Sequence, residues 1–227
     1  MPFFLHVWQA DLSQEHCAWP SAEATLGSAE KARQACLRTP ALRQTYGRAH
    51  GFLRAVLGQY LQQPASAVRV VPDATGKPAL PGSGLHFNLS YRPGRALLAV
   101  SDTGAVGADV EAQQPLDDAQ ALIQQLFAPA EQAALLAAAP AAYWSLFFTI
   151  WTRKEAYAKA LGMGLSMQFC EFSVLKLGAD NSVALTAPAG ATLHSFAAGT
   201  AHLGAVATLS AGNLPLAHFE FPAGLAQ

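Results

Sequence analysis

Between residues 106 and 111, apolar Val106, Ala108 and Val110 alternate with Gly107, Asp109 and Glu111. A period of two commits a segment to a strand with one apolar face. Residues two apart on a strand point the same way. Asp109 and Glu111 are therefore expected to stand side by side on the polar face, with Ala108 and Val110 packed behind them. Neighbouring carboxylates repel unless a cation lies between them, and hard oxygen donors of this kind suit Mg2+ or Mn2+. The apolar run Leu97–Val100 precedes this strand across a turn at Gly104.

About forty residues later comes Trp151-Thr152-Arg153-Lys154-Glu155-Ala156-Tyr157-Ala158-Lys159. These are mostly good helix formers, and Gly162 and Gly164 are expected to stop the helix. Glu155 and Lys159 lie four apart and share a face. That face brings a third carboxylate and a cation toward the same metal and phosphate chemistry. Trp151 is expected to pack the helix rather than take part in chemistry. Taken singly, each stretch is equally compatible with charges that simply face water.

The chain has 227 residues, 52% hydrophobic and 13% charged, with a net charge of -1. Such a composition supports a substantial core and excludes a disordered chain. No global basic field favours nucleic acid. Cys17, Cys36 and Cys170 are scattered and show no metal-binding spacing, which fits a reduced, cytoplasmic protein. The start, Met1-Pro2-Phe3-Phe4-Leu5, has no basic region of the signal-peptide kind. Residues 132–152 carry no formal charge and are long enough to span a bilayer. Pro140 interrupts them and alanine is abundant, so they are expected to form two buried helices with a break near Pro140, and no membrane span.

A first strand is expected over residues 3–10, and a helix from Ala29 to Leu37 opened by Thr25 or Ser28. A long helix is expected from Pro40 to Gln62, where Leu42, Tyr46, Phe52, Leu53, Val56, Leu57 and Tyr60 recur at helical steps. Its other face carries Arg43, Arg48, His50 and Arg54, either a solvated basic face or a phosphate clamp. Short strands are expected at 68–71 and 85–91, the latter with Phe87 and Leu89 on one face and Asn88 and Ser90 on the other. Asp73 to Pro78 is turn chemistry. Asp117 is a candidate N-cap, and Pro129 opens a further helix in which Glu131 sits in the first turn. Strands at 172–177, 183–185, 193–196 and 204–209 are expected to make a second sheet.

The pattern Gly107-x-Asp109-x-Glu111 followed by Trp151-x-x-Lys154-Glu155-Ala156-x-x-Lys159 resembles the signature of the 4'-phosphopantetheinyl transferase superfamily. Gly76-Lys77-Pro78 and Phe87-Asn88-Leu89-Ser90 are similar to two further blocks of its longer, surfactin-type class. The blocks run in family order from about residue 76 to residue 165. The resemblance implies an α+β fold, a monomer of two similar halves, each a small mainly antiparallel sheet packed with helices. The active site then lies at the seam. The halves fall at 1–103, on the adenine and 3'-phosphate side of coenzyme A, and 104–227, carrying the carboxylates and the carrier-protein dock.

The same resemblance implies transfer of the 4'-phosphopantetheine arm of coenzyme A to a serine of an apo acyl or peptidyl carrier protein, with release of adenosine 3',5'-bisphosphate. This is the holo-[acyl-carrier-protein] synthase type of reaction. It implies Mg2+, or Mn2+, on Asp109, Glu111 and Glu155. Lys159 faces the leaving phosphate, and Glu155 or Glu131 accepts the serine proton. Lys31, Arg48, Gly76, Lys77, Pro78, Asn88, Ser90 and Tyr91 correspond to the coenzyme A side. At one position the chain departs from the pattern: Tyr91 stands where the class commonly has His, and a phenol brings no positive charge at neutral pH. Two alternatives remain open from the residues alone, another Mg2+-dependent enzyme acting on a nucleotide or pyrophosphate, and a non-enzymatic module that binds coenzyme A or carrier.

Overall fold

The computed structural model describes residues 3–15, 18–164, 167–180, 182–210 and 214–221; Met1, Pro2 and Cys17 lie outside them. The first half runs β1 (Leu5–Asp11), α1 (Ala18–Ala24), α2 (Ser28–Ala35), α3 (Pro40–Tyr60), β2 (Val71–Pro72), β3 (Pro78–Ala79), β4 (His86–Arg92) and β5 (Arg95–Ser101). The second runs β6 (Val106–Ala112), α4 (Ala119–Leu126), α5 (Pro129–Ala137), α6 (Pro140–Leu161), β7 (Leu175–Leu177), β8 (Val183–Leu185), β9 (Thr192–Ala197), β10 (His202–Thr208) and β11 (Leu216–Phe221). The fold is α+β.

One sheet has the order β11-β1-β5-β4 and the other β6-β10-β9. The two repeat one connectivity: strand, long helix, then an antiparallel pair whose later strand lies beside the first. The last strand crosses back, pairing parallel to β1 with Leu5 opposite Leu216. The expectation that all four late strands share one sheet fails, because β7 and β8 form a separate hairpin.

Packing follows from the alternation. Trp8, Ala10, Ala96, Leu98 and Val100 face α3, where Phe52, Val56 and Leu57 complete a core with Phe87 and Phe221. Leu5, Val7, Leu97 and Ala99 face the other way and meet Val106, Ala108, Val110 and Val206 of the second sheet. The first sheet is thus buried on both faces, which is why Leu97–Val100 is an unbroken apolar run. On the far side of the second sheet, Ala156 and Ala160 of α6 pack against Ala205 and Ala207. The layers are helix, sheet, sheet, helix.

Pro140 stands at the first position of α6, where proline's missing N–H costs nothing. The uncharged run is therefore split between α5 and α6, and among the described residues no helix is long and apolar enough to cross a membrane. Gly162 ends α6 in the left-handed conformation, φ 71°. Asp118 rather than Asp117 precedes α4, and its side chain makes no capping bond. Of residues 68–71 only Val71 belongs to a strand. Cys36 and Cys170 are free and exposed.

Small residues set the distance between α6 and β6. A Cβ on Gly107 would fall on the Ala156 carbonyl oxygen and the Ala160 nitrogen, and 2.9 Å from the Lys159 carbonyl carbon. These are backbone atoms in a helix and cannot step aside. Gly107→Ala is expected to cost about 3 kcal/mol or more, read as a lower urea midpoint at unchanged slope. Parental stability would show that α6 does not press on β6 as described.

Candidate active site

β4 and β6 are edge strands of different sheets, and no backbone ladder joins them. Side chains of β4 make the junction. Asn88 Oδ1 accepts from the Ala108 N–H at 2.8 Å, and Ser90 Oγ accepts from the Val110 N–H at 3.3 Å. Both amides would otherwise be unpaired donors on a buried edge, a costly state. Two residues further along the same face, the Arg92 guanidinium grips Glu111. Its Nε donates to Oε2 at 2.7 Å and its Nη2 to Oε1. The expected split of this strand into two faces holds, with Phe87, Leu89 and Tyr91 turned to the α3 core.

Asp109 and Glu111 do share a face of β6, but that face is not open to water. Asp109 is fully buried while Glu111 is partly exposed. The reason is α6, which covers the face the alternation left polar. From α6, Lys159 Nζ donates to Asp109 Oδ1 at 2.5 Å. Ser90 Oγ donates to the same oxygen at 3.1 Å. Burial pushes the Asp109 carboxyl up, Lys159 pulls it back, and Glu111 pushes it up again. Glu155 completes the group. Its carboxyl is raised by burial, lowered by Lys159, and raised by Asp109 and Glu111. Trp151 does more than pack: its Nε1–H donates to Glu111 Oε1 at 3.3 Å.

Three acids and two cations therefore converge from β4, β6 and α6. Among the described residues no three acidic, His or Cys side chains stand in position to share one metal ion as they are. The chemistry of the set nonetheless fits a hard divalent ion. Asp109 Oδ2 is buried with no hydrogen-bond partner, an open acceptor of the kind a cation satisfies. Glu111 is already occupied by Arg92.

A cavity of about 640 Å³ opens on the α3 side of β4, with Glu30, His50, Arg54, Arg69, Pro78, Asn88 and Tyr91 in its wall. Of the residues expected on the coenzyme A side, Pro78, Asn88 and Tyr91 line it. Tyr91 meets His50 and Tyr46 edge-on, at ring separations of 6.0 and 6.5 Å. Ser90 belongs to the carboxylate cluster instead. Gly76 forms the tip of the 73–77 turn at φ 87°. Lys31 is exposed on α2.

Lys77 and Arg48 have their cationic groups engaged within the chain. Lys77 Nζ donates to the carbonyls of Val106 at 2.8 Å, Lys159 at 2.7 Å and Ala160 at 3.3 Å. Arg48 is buried and donates to Leu12 O at 2.7 Å and Glu15 Oε1 at 2.5 Å, tying down the segment after β1. Of the basic face of α3, Arg43 is exposed and His50 half-buried, while Arg48 and Arg54 are withdrawn from water. Arg54 is buried too, donating to Glu30 Oε2 at 2.6 Å and Val68 O at 2.9 Å.

Glu131 also departs from expectation. It is fully buried, and none of its partners belongs to the cluster. It accepts from the Ala128 and Val174 N–H groups at 2.8 Å each and pairs with Lys154 Nζ at 2.9 Å. Lys154 in turn donates to the carbonyls of Phe169 and Phe172, both at 2.6 Å. The pair locks α5, α6 and the segment after it together. Sequence reasoning missed Arg92 and Glu30. Arg92 had a signal, since Asn88, Ser90 and Arg92 continue one alternating face. Glu30 had none, because its partner lies 24 residues away.

Residues 105–205 match the family model described as the 4'-phosphopantetheinyl transferase superfamily. The chain is 34% identical over 193 residues to 4'-phosphopantetheinyl transferase HetI of Nostoc sp., covering 83% of this chain and 81% of that one. It is 30% identical over 137 residues to 4'-phosphopantetheinyl transferase Sfp of Bacillus subtilis, covering 60% and 59%. Over 88 residues it is 41% identical to 4'-phosphopantetheinyl transferase AcpT of Salmonella typhi, covering 38% and 46%.

Removing one partner of a fully buried ion pair typically costs about 3–5 kcal/mol. Glu131→Gln is expected to lower the melting temperature sharply while the folded fraction keeps its turnover. A stable protein with lost turnover would return Glu131 to the chemistry. Glu30 offers a pH test. Burial raises its carboxyl, but bonds from His50, Gly27 N–H and Arg54, with the Arg54 charge, outweigh this and bring it to about 2 from 4.5. A carboxyl depressed in the fold stabilises above its unfolded value, and that stability is lost as pH falls toward the folded one. Glu30→Gln should therefore lose stability at neutral pH and flatten the acid limb of the stability curve between about 4.5 and 2. An acid limb as steep as the parent's would show that Glu30 does not carry it.

Proposed function

Starting from the premise that the chain belongs to the 4'-phosphopantetheinyl transferase superfamily, which its 34% identity to HetI over more than four-fifths of both chains establishes, we propose that it moves the 4'-phosphopantetheine arm of coenzyme A onto a serine of an apo carrier protein. The leaving product is adenosine 3',5'-bisphosphate, and the reaction is of the holo-[acyl-carrier-protein] synthase type. The observation that best supports the reading is the buried Asp109 carboxylate, held by Lys159 and carrying one unpartnered oxygen, beside Glu111 and Glu155.

The serine belongs to the carrier, so the chain needs no nucleophile of its own. Asp109, Glu111 and Glu155 would hold Mg2+, or Mn2+, which when bound offsets charge on the pyrophosphate. Lys159 keeps about a third of its side chain open (29% relative exposure) while anchored to Asp109. An ammonium so fixed is preorganised to stabilise the leaving phosphate, without reorienting as charge builds there. Glu155 is half-buried within the cluster, beside Asp109 and Glu111. Glu155 is therefore the group assigned to the serine proton, in preference to the enclosed Glu131. The nucleotide end of coenzyme A is assigned to the 640 Å³ cavity beside Tyr91. The halves 1–103 and 104–227 supply the nucleotide side and the carboxylates respectively.

The test is mass spectrometry of apo carrier proteins from fatty-acid, polyketide and nonribosomal-peptide systems, incubated with the chain, coenzyme A and Mg2+. A mass gain of one arm is expected, abolished by EDTA. Asp109→Asn keeps the shape and removes the charge, and is expected to slow turnover by roughly 100- to 1,000-fold. Parental turnover in Asp109→Asn would sink the site assignment. Failure to load any carrier class would sink the function.

A further inference from the structure

Arg92 lies outside the matched motifs, yet it closes the cluster. Asn88, Ser90 and Arg92 continue one face of β4, and the first two satisfy backbone amides of β6. The third takes both oxygens of the Glu111 carboxylate, with only a long further contact, 3.5 Å from Nη1 to the Tyr91 carbonyl. The two partners differ in freedom: the Arg92 side chain is 48% exposed and that of Glu111 13%. If the pair opens, the guanidinium moves out and the carboxylate stays. The pair is bidentate and its carboxylate nearly enclosed, so it is stronger than an open surface pair, and Arg92 leaves only where another cation takes its place. Asp109 Oδ2 meanwhile stands buried and unpartnered on the same face of β6.

We propose that Arg92 holds the cation position at Glu111 in the metal-free chain, is exchanged for a divalent ion, and then presents its freed guanidinium to a phosphate of the substrate. The proposal rests on the metal- and coenzyme A-dependent reading above. Arg92 and Glu111 share the rim of a second cavity of about 480 Å³ with Trp151 and His202. The freed fork thus stays beside the reaction centre, and its planar donors match phosphate oxygens. Exchange couples the two ligands. The metal binds weakly while Arg92 has nowhere else to pair, and each ligand tightens the other by the same factor. Arg92 is in this sense a positioning residue for substrate.

The experiment titrates Mn2+ into the full chain by electron paramagnetic resonance, without and with coenzyme A, for the parent, Arg92→Gln and Arg92→Lys. Circular dichroism melts establish that each variant is folded. Without coenzyme A, Arg92→Gln is expected to bind Mn2+ about tenfold more tightly than the parent, the scale of one charge-assisted bond. With Mn2+ saturating, its coenzyme A affinity is expected to fall by a similar factor. Arg92→Lys keeps the charge without the fork and should fall between the parent and Arg92→Gln in both Mn2+ and coenzyme A affinity. A merely structural rung would weaken both ligands together. Unchanged or weaker Mn2+ binding in both variants overturns the proposal, as does coenzyme A affinity untouched by Arg92→Gln. Carrier loading by the parent is scored separately, so failure of the transferase reading would show there while the Mn2+ titrations still judged Arg92.

Discussion

Lys159 reaches Asp109 across the gap between α6 and β6, and the 2.5 Å contact removes a carboxylate completely from water. Stripping water from an ion costs several kcal/mol, and only close pairing with further hydrogen bonds offsets it. Here the offset comes from one ammonium and the Ser90 hydroxyl. The arrangement requires the helix to lie against the strand. Gly107 permits this, since any side chain there would strike α6 backbone. Ala156 and Ala160 permit it from the other side. Lys77 then pins the helix end, donating to carbonyls of Lys159, Ala160 and Val106 together. Lys77 thereby holds the backbone from which Lys159 projects.

A second constraint is the meeting of two sheet edges. Unpaired edges invite aggregation or cost hydrogen bonds. Asn88 and Ser90 solve this with side chains in place of a backbone ladder. Because they do, β4 stands at a fixed offset from β6, and Arg92 falls opposite Glu111 while Tyr91 turns to the nucleotide-sized cavity. The cluster and the cavity are two faces of one strand. Tyr91 therefore belongs to the cavity wall and not to the carboxylate face.

The elements were largely legible. Period two located β6 and the faces of β4, and the helical steps located α3 within two residues of its observed end. The proline at the start of α6 and the glycine at its end were equally readable, since each acts through its own backbone. Polarity misled wherever tertiary structure supplied a partner. Arg48, Arg54, Lys77 and Glu131 read as available charges, and each is instead tied to carbonyls, amides or an opposite charge. A charged side chain carries no local signal of whether water or a distant carbonyl will satisfy it.

The sequence by itself determined which residues share a face and where helices begin and end, because those depend on backbone periodicity and on nearest neighbours. It placed Asp109 with Glu111, and Glu155 with Lys159, as pairs. Only the tertiary structure decided that the pairs converge, that α6 buries Asp109 and leaves Glu111 near water, and that Arg92 pairs with Glu111. These depend on the spacing of layers and the register of strands far apart in the chain. Lys159 and Asp109 lie 50 residues apart, and the free energy of such a contact is set by what else is packed around it.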